Sequence, residues 1–242
     1  MELAGSPEAL SFPAMNNLTD YYDRRAPEYD NIYKRPERQD DLKRLEAHLL
    51  DVAGGQDVME IACGTGWWTE RMARTARTVM GFDASPAVLA RARQRGCPPN
   101  RVRFAEGDAF RLGEIGGRYS LVVAAFLWSH IPRRDIQIFL NGIARRFPDG
   151  IRVVMVDNRY VEGGSSAVSR RDDFGNSWQK RKLEDGSEFE IIKNFPSADE
   201  LTIVAGAHLD NVDIKLLDYF WILQGDTRPI PPEPKPEEKH AG

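Results

Sequence analysis

The segment VMEIACGTGWWT, residues 58–69, constrains this chain more than any other. A short apolar run, 58–62, reads as a β-strand. It breaks at Gly64-Thr65-Gly66 and passes into a helical pattern over 66–74. Glycines at such a turn let the backbone reverse tightly and let a ligand approach the main chain. The rest of the chain repeats the alternation. Residues 78–82 read as a strand, and Ser85-Pro86 opens a helix that ends before Gly96, with serine as the cap and proline in the first turn. Residues 101–104 form a third strand. Residues 120–126 form a fourth, apolar enough to be buried on both faces of a parallel sheet. A helix at 133–147, a fifth strand at 151–156, a capping box at Ser197–Glu200 opening a helix to about 207, and two strands at 212–217 and 219–223 complete the pattern. An earlier helix spans 38–52 and stops at Gly54-Gly55. Strands alternating with helices predict a doubly wound, mostly parallel sheet with helices on both faces and a ligand at the strand carboxyl ends.

The domain so predicted spans 18–224. Residues 1–17 are expected to be a flexible leader. Residues 225–242, with five prolines and alternating charge, are expected to be a disordered tail that apolar burial cannot order. The irregular stretch 159–196 interrupts the alternation and is expected to be an inserted substrate cap. Hydrophobic residues at 41% and charged residues at 29% exclude disorder of the whole chain. A net charge of −4 argues against a nucleic-acid partner, because phosphate neutralisation needs a basic surplus. No apolar stretch approaches the roughly 20 residues that span a bilayer. Two cysteines and no basic-then-apolar leader suit a reducing, cytoplasmic setting, with a monomer or homodimer expected. The four histidines lack ligand spacing and no CxxC pair occurs, so no metal is expected.

Three acids punctuate three successive strands. Glu60 precedes the glycine turn, where it would repel a pyrophosphate and suit an ammonium. Asp83 ends the second strand, nineteen residues after Gly64, where doubly wound folds place a ribose-binding carboxylate. Asp108 follows the third strand and can accept from an exocyclic amine. The third glycine of a dinucleotide turn is absent, with Trp67-Trp68 in its place.

The segments EIACGTG at 60–66, GFDASP at 81–86, GDA at 107–109 and LVVAAFLWSHIP at 121–132 resemble the class I S-adenosylmethionine-dependent methyltransferase family, as does YYDRRAPEYD at 21–30, which looks like a lid of its small-molecule branch. The resemblance implies a Rossmann-like seven-stranded sheet whose last two strands close it, S-adenosylmethionine as cofactor, and methyl transfer to a small molecule. It places the methionine moiety along Ala62 and Gly64-Thr65-Gly66, near Glu60 and the backbone at Phe126. It places the ribose at Asp83-Ala84 and the adenine at Asp108 and Ala109. Tyr21 and Tyr29 would touch the cofactor from the lid of residues 18–35. His130, in the turn that faces the methyl in this family, and Tyr22 are the candidates to orient the acceptor or take its proton. Trp67 and Trp128 would stack on an aromatic or heteroaromatic acceptor, with Asn158, Arg170 and Trp178 also against it. The basic run Arg170-Arg171 and Lys180-Arg181-Lys182 reads as a solvated face or as a receptor for an acidic group. Two rivals stay open: a cofactor-binding protein of the same fold recruited to a non-methylating reaction, and a nicotinamide-dependent oxidoreductase.

Overall fold

The computed structural model describes residues 13–229. Helix α1 (Pro13–Arg25) is followed by two 3-10 turns, Tyr29–Lys34 and Pro36–Arg38, and then α2 (Gln39–Ala53). The alternating core runs β1 (Asp57–Ile61), α3 (Trp67–Met72), β2 (Thr78–Asp83), α4 (Pro86–Arg93), β3 (Val102–Glu106), β4 (Leu121–Ala125), α5 (Ile136–Arg146) and β5 (Arg152–Asn158). Three strands of the insertion follow: β6 (Arg170–Arg171), β7 (Ser177–Lys182) and β8 (Glu188–Ile192). Helix α6 (Ala198–Gly206), β9 (Leu209–Leu216) and β10 (Phe220–Thr227) complete the chain.

Seven strands form one sheet in the order β3-β2-β1-β4-β5-β10-β9. The first five are parallel, and β10 runs antiparallel between β5 and β9. This is the doubly wound, seven-stranded architecture that the sequence predicts. Alternate strand residues face opposite layers. Met59 and Ile61 pack with Phe139, Leu140 and Ile143 of α5, while Val58 packs with Leu45 and Leu49 of α2 and Met72 of α3. Each of these side chains is fully buried and contributes roughly 1.5–3 kcal/mol. β1 lies between β2 and β4, so the chain leaves the two strands β1 and β4 in opposite directions. Their carboxyl ends flank the switch point where a crevice must open.

The local signals act as read. Ser85 Oγ accepts from Val88 N at 3.2 Å at the start of α4. Ser197 and Glu200 exchange both bonds of a capping box at 3.1 and 2.8 Å. Both expected ends of the domain differ from the structure. Helix α1 begins at Pro13, inside the stretch expected to be a loose leader. Strand β10 runs through Gly225, Asp226 and Thr227, inside the expected tail, because the Arg152–Asp226 ion pair at 2.6 Å and the bond from Ile151 N to Thr227 Oγ1 at 2.8 Å hold it to β5. Residues 1–12 and 230–242 lie outside the described residues. The helix read at 66–74 is shorter, and α5 is preceded by the 3-10 turn Arg133–Asp135.

Strands β6, β7 and β8 form a separate antiparallel sheet over the carboxyl ends of the main one. Leu183 and Ile191 of this hairpin pack against Leu18 and Tyr21 of α1. The N-terminal helix and the inserted sheet thus join above the switch point.

Candidate active site

The crevice at the switch point is built from backbone. Gly64 sits at φ +55°, and the non-glycine residues Ala62 and Phe126 are also left-handed, at φ 55° and 62°. A side chain held there costs on the order of 1–3 kcal/mol, and such strain concentrates at ligand clamps. Ala62 follows β1 and Phe126 follows β4, so the strained pair brackets the crevice. Phe126 N donates to Val156 O at 2.7 Å, which anchors one side of the bend. A Cβ on Gly64 would stand 3.1 Å from the Tyr29 hydroxyl, and one on Gly107 only 2.7 Å from Ile115 Cδ1. Both glycines are there for close approach.

Most of the sequence-predicted cofactor residues converge on this crevice. Ala62, Gly64, Asp83 and Ala84 line it from the first two strands, Asp108 and Ala109 from the third, and Phe126 and His130 from the fourth. Tyr22 and Tyr29 cover it from the N-terminal segment. The Asp83 carboxylate accepts from Gly64 N and from Ser85 N, each at 2.9 Å. Burial pushes its pKa up against the Ser85, Gly64 and Ala84 N–H groups. The carboxylate keeps accepting capacity for a hydroxyl. Asp108 Oδ1 accepts from Phe110 N at 2.8 Å, which aims the exposed carboxylate at the rim.

Four residues of that set fall elsewhere, and the first, Tyr21, lines the neighbouring cavity instead of the cofactor crevice. Glu60 shares the α3 face of β1. It is buried, accepts from the Thr69 hydroxyl and does not line the crevice; burial lifts its pKa to about 8. Its expected pairing with an ammonium is corrected by strand alternation, which turns residue 60 beneath α3. Thr65 is buried behind the turn, where its hydroxyl donates to Asp30 and its carbonyl accepts from Arg95, fastening the N-terminal segment to the turn. Gly66 is a packing residue: a Cβ there would lie 3.0 Å from Ala92 Cβ.

A second cavity of about 390 Å³ adjoins the first, between the N-terminal segment and the inserted sheet. The two share Tyr22, Tyr29, Phe126 and His130. His130 Nδ1 lies 2.8 Å from Ile192 O and must donate to it, since a carbonyl only accepts. Nε2 therefore carries the lone pair and accepts from the Tyr22 hydroxyl at 2.8 Å. Burial, and then the nearby Lys193 charge, push the imidazole pKa well below its usual value. Burial, and then Tyr29, push the Tyr22 phenol well above its own. Both groups are neutral at pH 7. Tyr21 lines this second cavity and stacks edge-on with Tyr22 at 4.9 Å.

Beneath His130 lies a buried polar cluster that the sequence reading missed. Lys193 Nζ donates to Ser129 Oγ at 2.6 Å and to Asp157 Oδ1 at 3.3 Å, and stands 3.4 Å from His130 Nε2. Asp157 also accepts from Ser129 N at 2.8 Å and Asn158 N at 2.7 Å. Burial opposes its ionisation, but Lys193, His130 and these amides hold the carboxyl below the usual range. Burial lowers Lys193 to about 8. Lys193 directly follows β8, in the segment EFEIIKNF of the insertion, with no spacing to mark it. A lysine placed right after the apolar pair Ile191-Ile192 is the one available signal.

The expected acceptor residues divide. Asn158 lines the second cavity. Trp67 does not: Tyr33 stacks on it at 4.4 Å and Arg71 lies 3.8 Å over its ring on the outer side of α3. Trp128 is core, edge-on to Trp221 at 5.8 Å. Trp178 donates from Nε1 to Asp172 at 3.0 Å, with Arg170 over its ring at 4.1 Å and paired to Glu190. Neither Arg170 nor Trp178 lines the cavity. Of the basic run, Lys180, Arg181 and Lys182 line it. Among the described residues, no group of three or more His, Cys, Asp or Glu is placed to hold a metal ion, and no helix is long and apolar enough to cross a membrane.

Residues 58–150 match a family model described as a methyltransferase domain. The ubiquinone biosynthesis O-methyltransferase of Azorhizobium caulinodans is 28% identical over 125 residues, 51% of this chain and 49% of its own length. The demethylmenaquinone methyltransferase of Tropheryma whipplei is 34% identical over 120 residues, 48% of this chain and 47% of its own. The chain thus spans about half the length of these curated relatives. Solved structures match over nearly the whole described chain. The DhpI–SAH complex is 27% identical with a TM-score of 0.69, covering 91% of this chain and 99% of that one. Magnesium protoporphyrin IX methyltransferase from Synechocystis PCC 6803 with bound SAH shares the fold at 16% identity and a TM-score of 0.62, covering 88% and 100%.

Proposed function

Because the chain belongs to the class I S-adenosylmethionine-dependent methyltransferases, we propose that it transfers a methyl group from that cofactor to a small molecule seated between the N-terminal segment and the inserted sheet. The observation that carries this reading is the junction of two cavities at Tyr22, Tyr29, Phe126 and His130. One cavity has the rim of carboxylates and bare backbone that suits a nucleoside joined to an amino acid. The other opens beside it under a separate cap.

The cofactor, when bound, supplies a methyl on a sulfonium, already a strong electrophile. The chain's residues have to hold and dry it. Asp83 would accept from the ribose hydroxyls, and Asp108 with Ala109 would meet the adenine. The backbone at Ala62–Gly64 and at Ala125–Phe126 would run along the methionine moiety. Aligning acceptor and methyl in a closed site can supply on the order of 7–11 kcal/mol. His130 Nε2, neutral and carrying a lone pair, is the group to orient an acceptor hydroxyl or take its proton once the Tyr22 hydroxyl gives way. An aromatic or heteroaromatic acceptor is the finer reading. Its support is the ring wall of Tyr21, Tyr22, Tyr29 and Phe195 along the cavity, in place of the two indoles first expected to stack on it.

Calorimetry with S-adenosylhomocysteine and with NAD tests the cofactor half: the first binds and the second does not. Transfer of labelled methyl to a screened set of small acceptors tests the rest. A protein that binds NAD and ignores S-adenosylhomocysteine ends this reading.

A further inference from the structure

The acceptor cavity is electrostatically lopsided. The chain is net negative at −4, yet Arg25, Arg35, Arg38, Arg181 and Lys193 line this one cavity, with Lys180 and Lys182 at its mouth. Glu28 is the single carboxylate in its lining. Lys193 is balanced by Asp157, and Arg35 reaches Glu37 at 4.0 Å. Among the described residues, Arg25, Arg38 and Arg181 have no carboxylate within 4.0 Å.

What they have instead is neutral. The Arg25 guanidinium lies over the rings of Tyr29 and Tyr21 at 5.2 and 5.5 Å. Arg181 donates to Gln179 Oε1 at 2.6 Å and to the Ser166 hydroxyl. Arg38 donates to Gly164 O at 2.9 Å and to Asn158 Oδ1 at 3.3 Å, and its Nε is buried with no partner. Half-buried guanidinium groups facing aromatic rings and amides have lost water without gaining an anion, an arrangement that costs free energy. Arginine's planar fork suits a carboxylate or phosphoryl group bidentately. Tyr22 and His130 line both this cavity and the crevice, and the Arg25 guanidinium lies 5.9 Å from the Tyr22 ring centroid, so an anion held by the arginines sits beside them.

We propose that the acceptor is a small acid whose oxyanion, a carboxylate or a phosphoryl group, is held by Arg25, Arg181 and Arg38, leaving its methyl-accepting atom at Tyr22 and His130. The proposal rests on the methyl-transfer reading for the second half of that statement only. The oxyanion subsite stands or falls by itself.

The test titrates the full-length protein, with and without saturating S-adenosylhomocysteine, with inorganic phosphate, acetate and uncharged acetamide, following heat and thermal midpoint. At least one anion binds, more weakly as salt rises, and acetamide does not. Arg25→Met and Arg181→Met each weaken the anion by about tenfold or more, the value of a charge-assisted hydrogen bond. Their affinity for S-adenosylhomocysteine stays near that of the parent, which shows that they fold. Arg170→Met, on the outer face of the inserted sheet, leaves anion binding unchanged. Phosphate favoured over acetate identifies a phosphoryl acceptor, and the reverse a carboxylate. Equal binding of acetamide, no binding of either anion, or unchanged anion affinity in the two arginine variants overturns the subsite. Failure to bind S-adenosylhomocysteine overturns the methyl-transfer reading and leaves the anion result legible.

Discussion

Tyr22 and His130, 108 residues apart in the chain, are joined by a hydrogen bond of 2.8 Å from the phenol to Nε2. The bond ties the N-terminal helix to the end of β4 at the place where the two cavities meet. Ile192 O holds the other ring nitrogen at 2.8 Å, so the inserted sheet fixes the imidazole's orientation. Three separate parts of the chain therefore meet at one side chain.

A consequence is a graded loss of turnover. His130→Ala should lower kcat by about 10²-fold, the lower end of what a positioned acid–base group supplies. Tyr22→Phe should cost less, about tenfold, since the imidazole keeps its Ile192 anchor. Affinity for S-adenosylhomocysteine, read by calorimetry, should change little in either. A His130→Ala enzyme with near-normal kcat removes this residue from the reaction.

Asp83 both braces the turn through Gly64 N and faces the crevice. Asp83→Ala should weaken S-adenosylhomocysteine by about 10–100-fold, the range for losing hydrogen bonds to a charged group. Calorimetry measures it directly. Asp83→Asn, which keeps one acceptor oxygen, should lose less.

Lys193 should impose an upper pH limit on acceptor binding. With its pKa lowered to about 8, the ammonium is charged below that pH and neutral above it. Asp157, Ser129 and His130 face it directly, and Arg25 and Arg181 press on it from across the cavity. KM for an acidic acceptor should rise as pH passes about 8. In Lys193→Met that rise should disappear from the KM profile.

Glu60 should reduce stability at alkaline pH. Its folded pKa of about 8 lies above the ordinary value of 4.5. Between those two pH values the unfolded chain releases a proton that the folded chain retains, so stability falls across the window. The penalty is complete above pH 8 and is on the order of a few kcal/mol. Glu60→Gln should raise the thermal midpoint by roughly 5 °C or more at pH 8 and by little at pH 5, as read by scanning calorimetry. Equal shifts at both pH values would contradict the burial argument.

The sequence alone determined the sheet, its order of strands and helices, and the crevice rim. Asp83 ends a strand and Gly64 and Asp108 follow one, and in a doubly wound sheet the end of every parallel strand reaches the same edge. Local chemistry suffices for that, as it does for the Ser197–Glu200 cap. Which way a side chain turns after leaving the backbone was decided by tertiary structure. Glu60 sits beneath α3 because strand alternation and the packing of Thr69 put it there. Trp67 and Trp128 were expected at the acceptor and instead found partners in Tyr33 and Trp221. Lys193, Arg25 and Arg181 gain their meaning only when the inserted sheet folds over α1. Bringing charges from residues 25, 38, 181 and 193 into one cavity takes long-range packing of apolar faces, and apolar faces record no register for the polar groups they carry along.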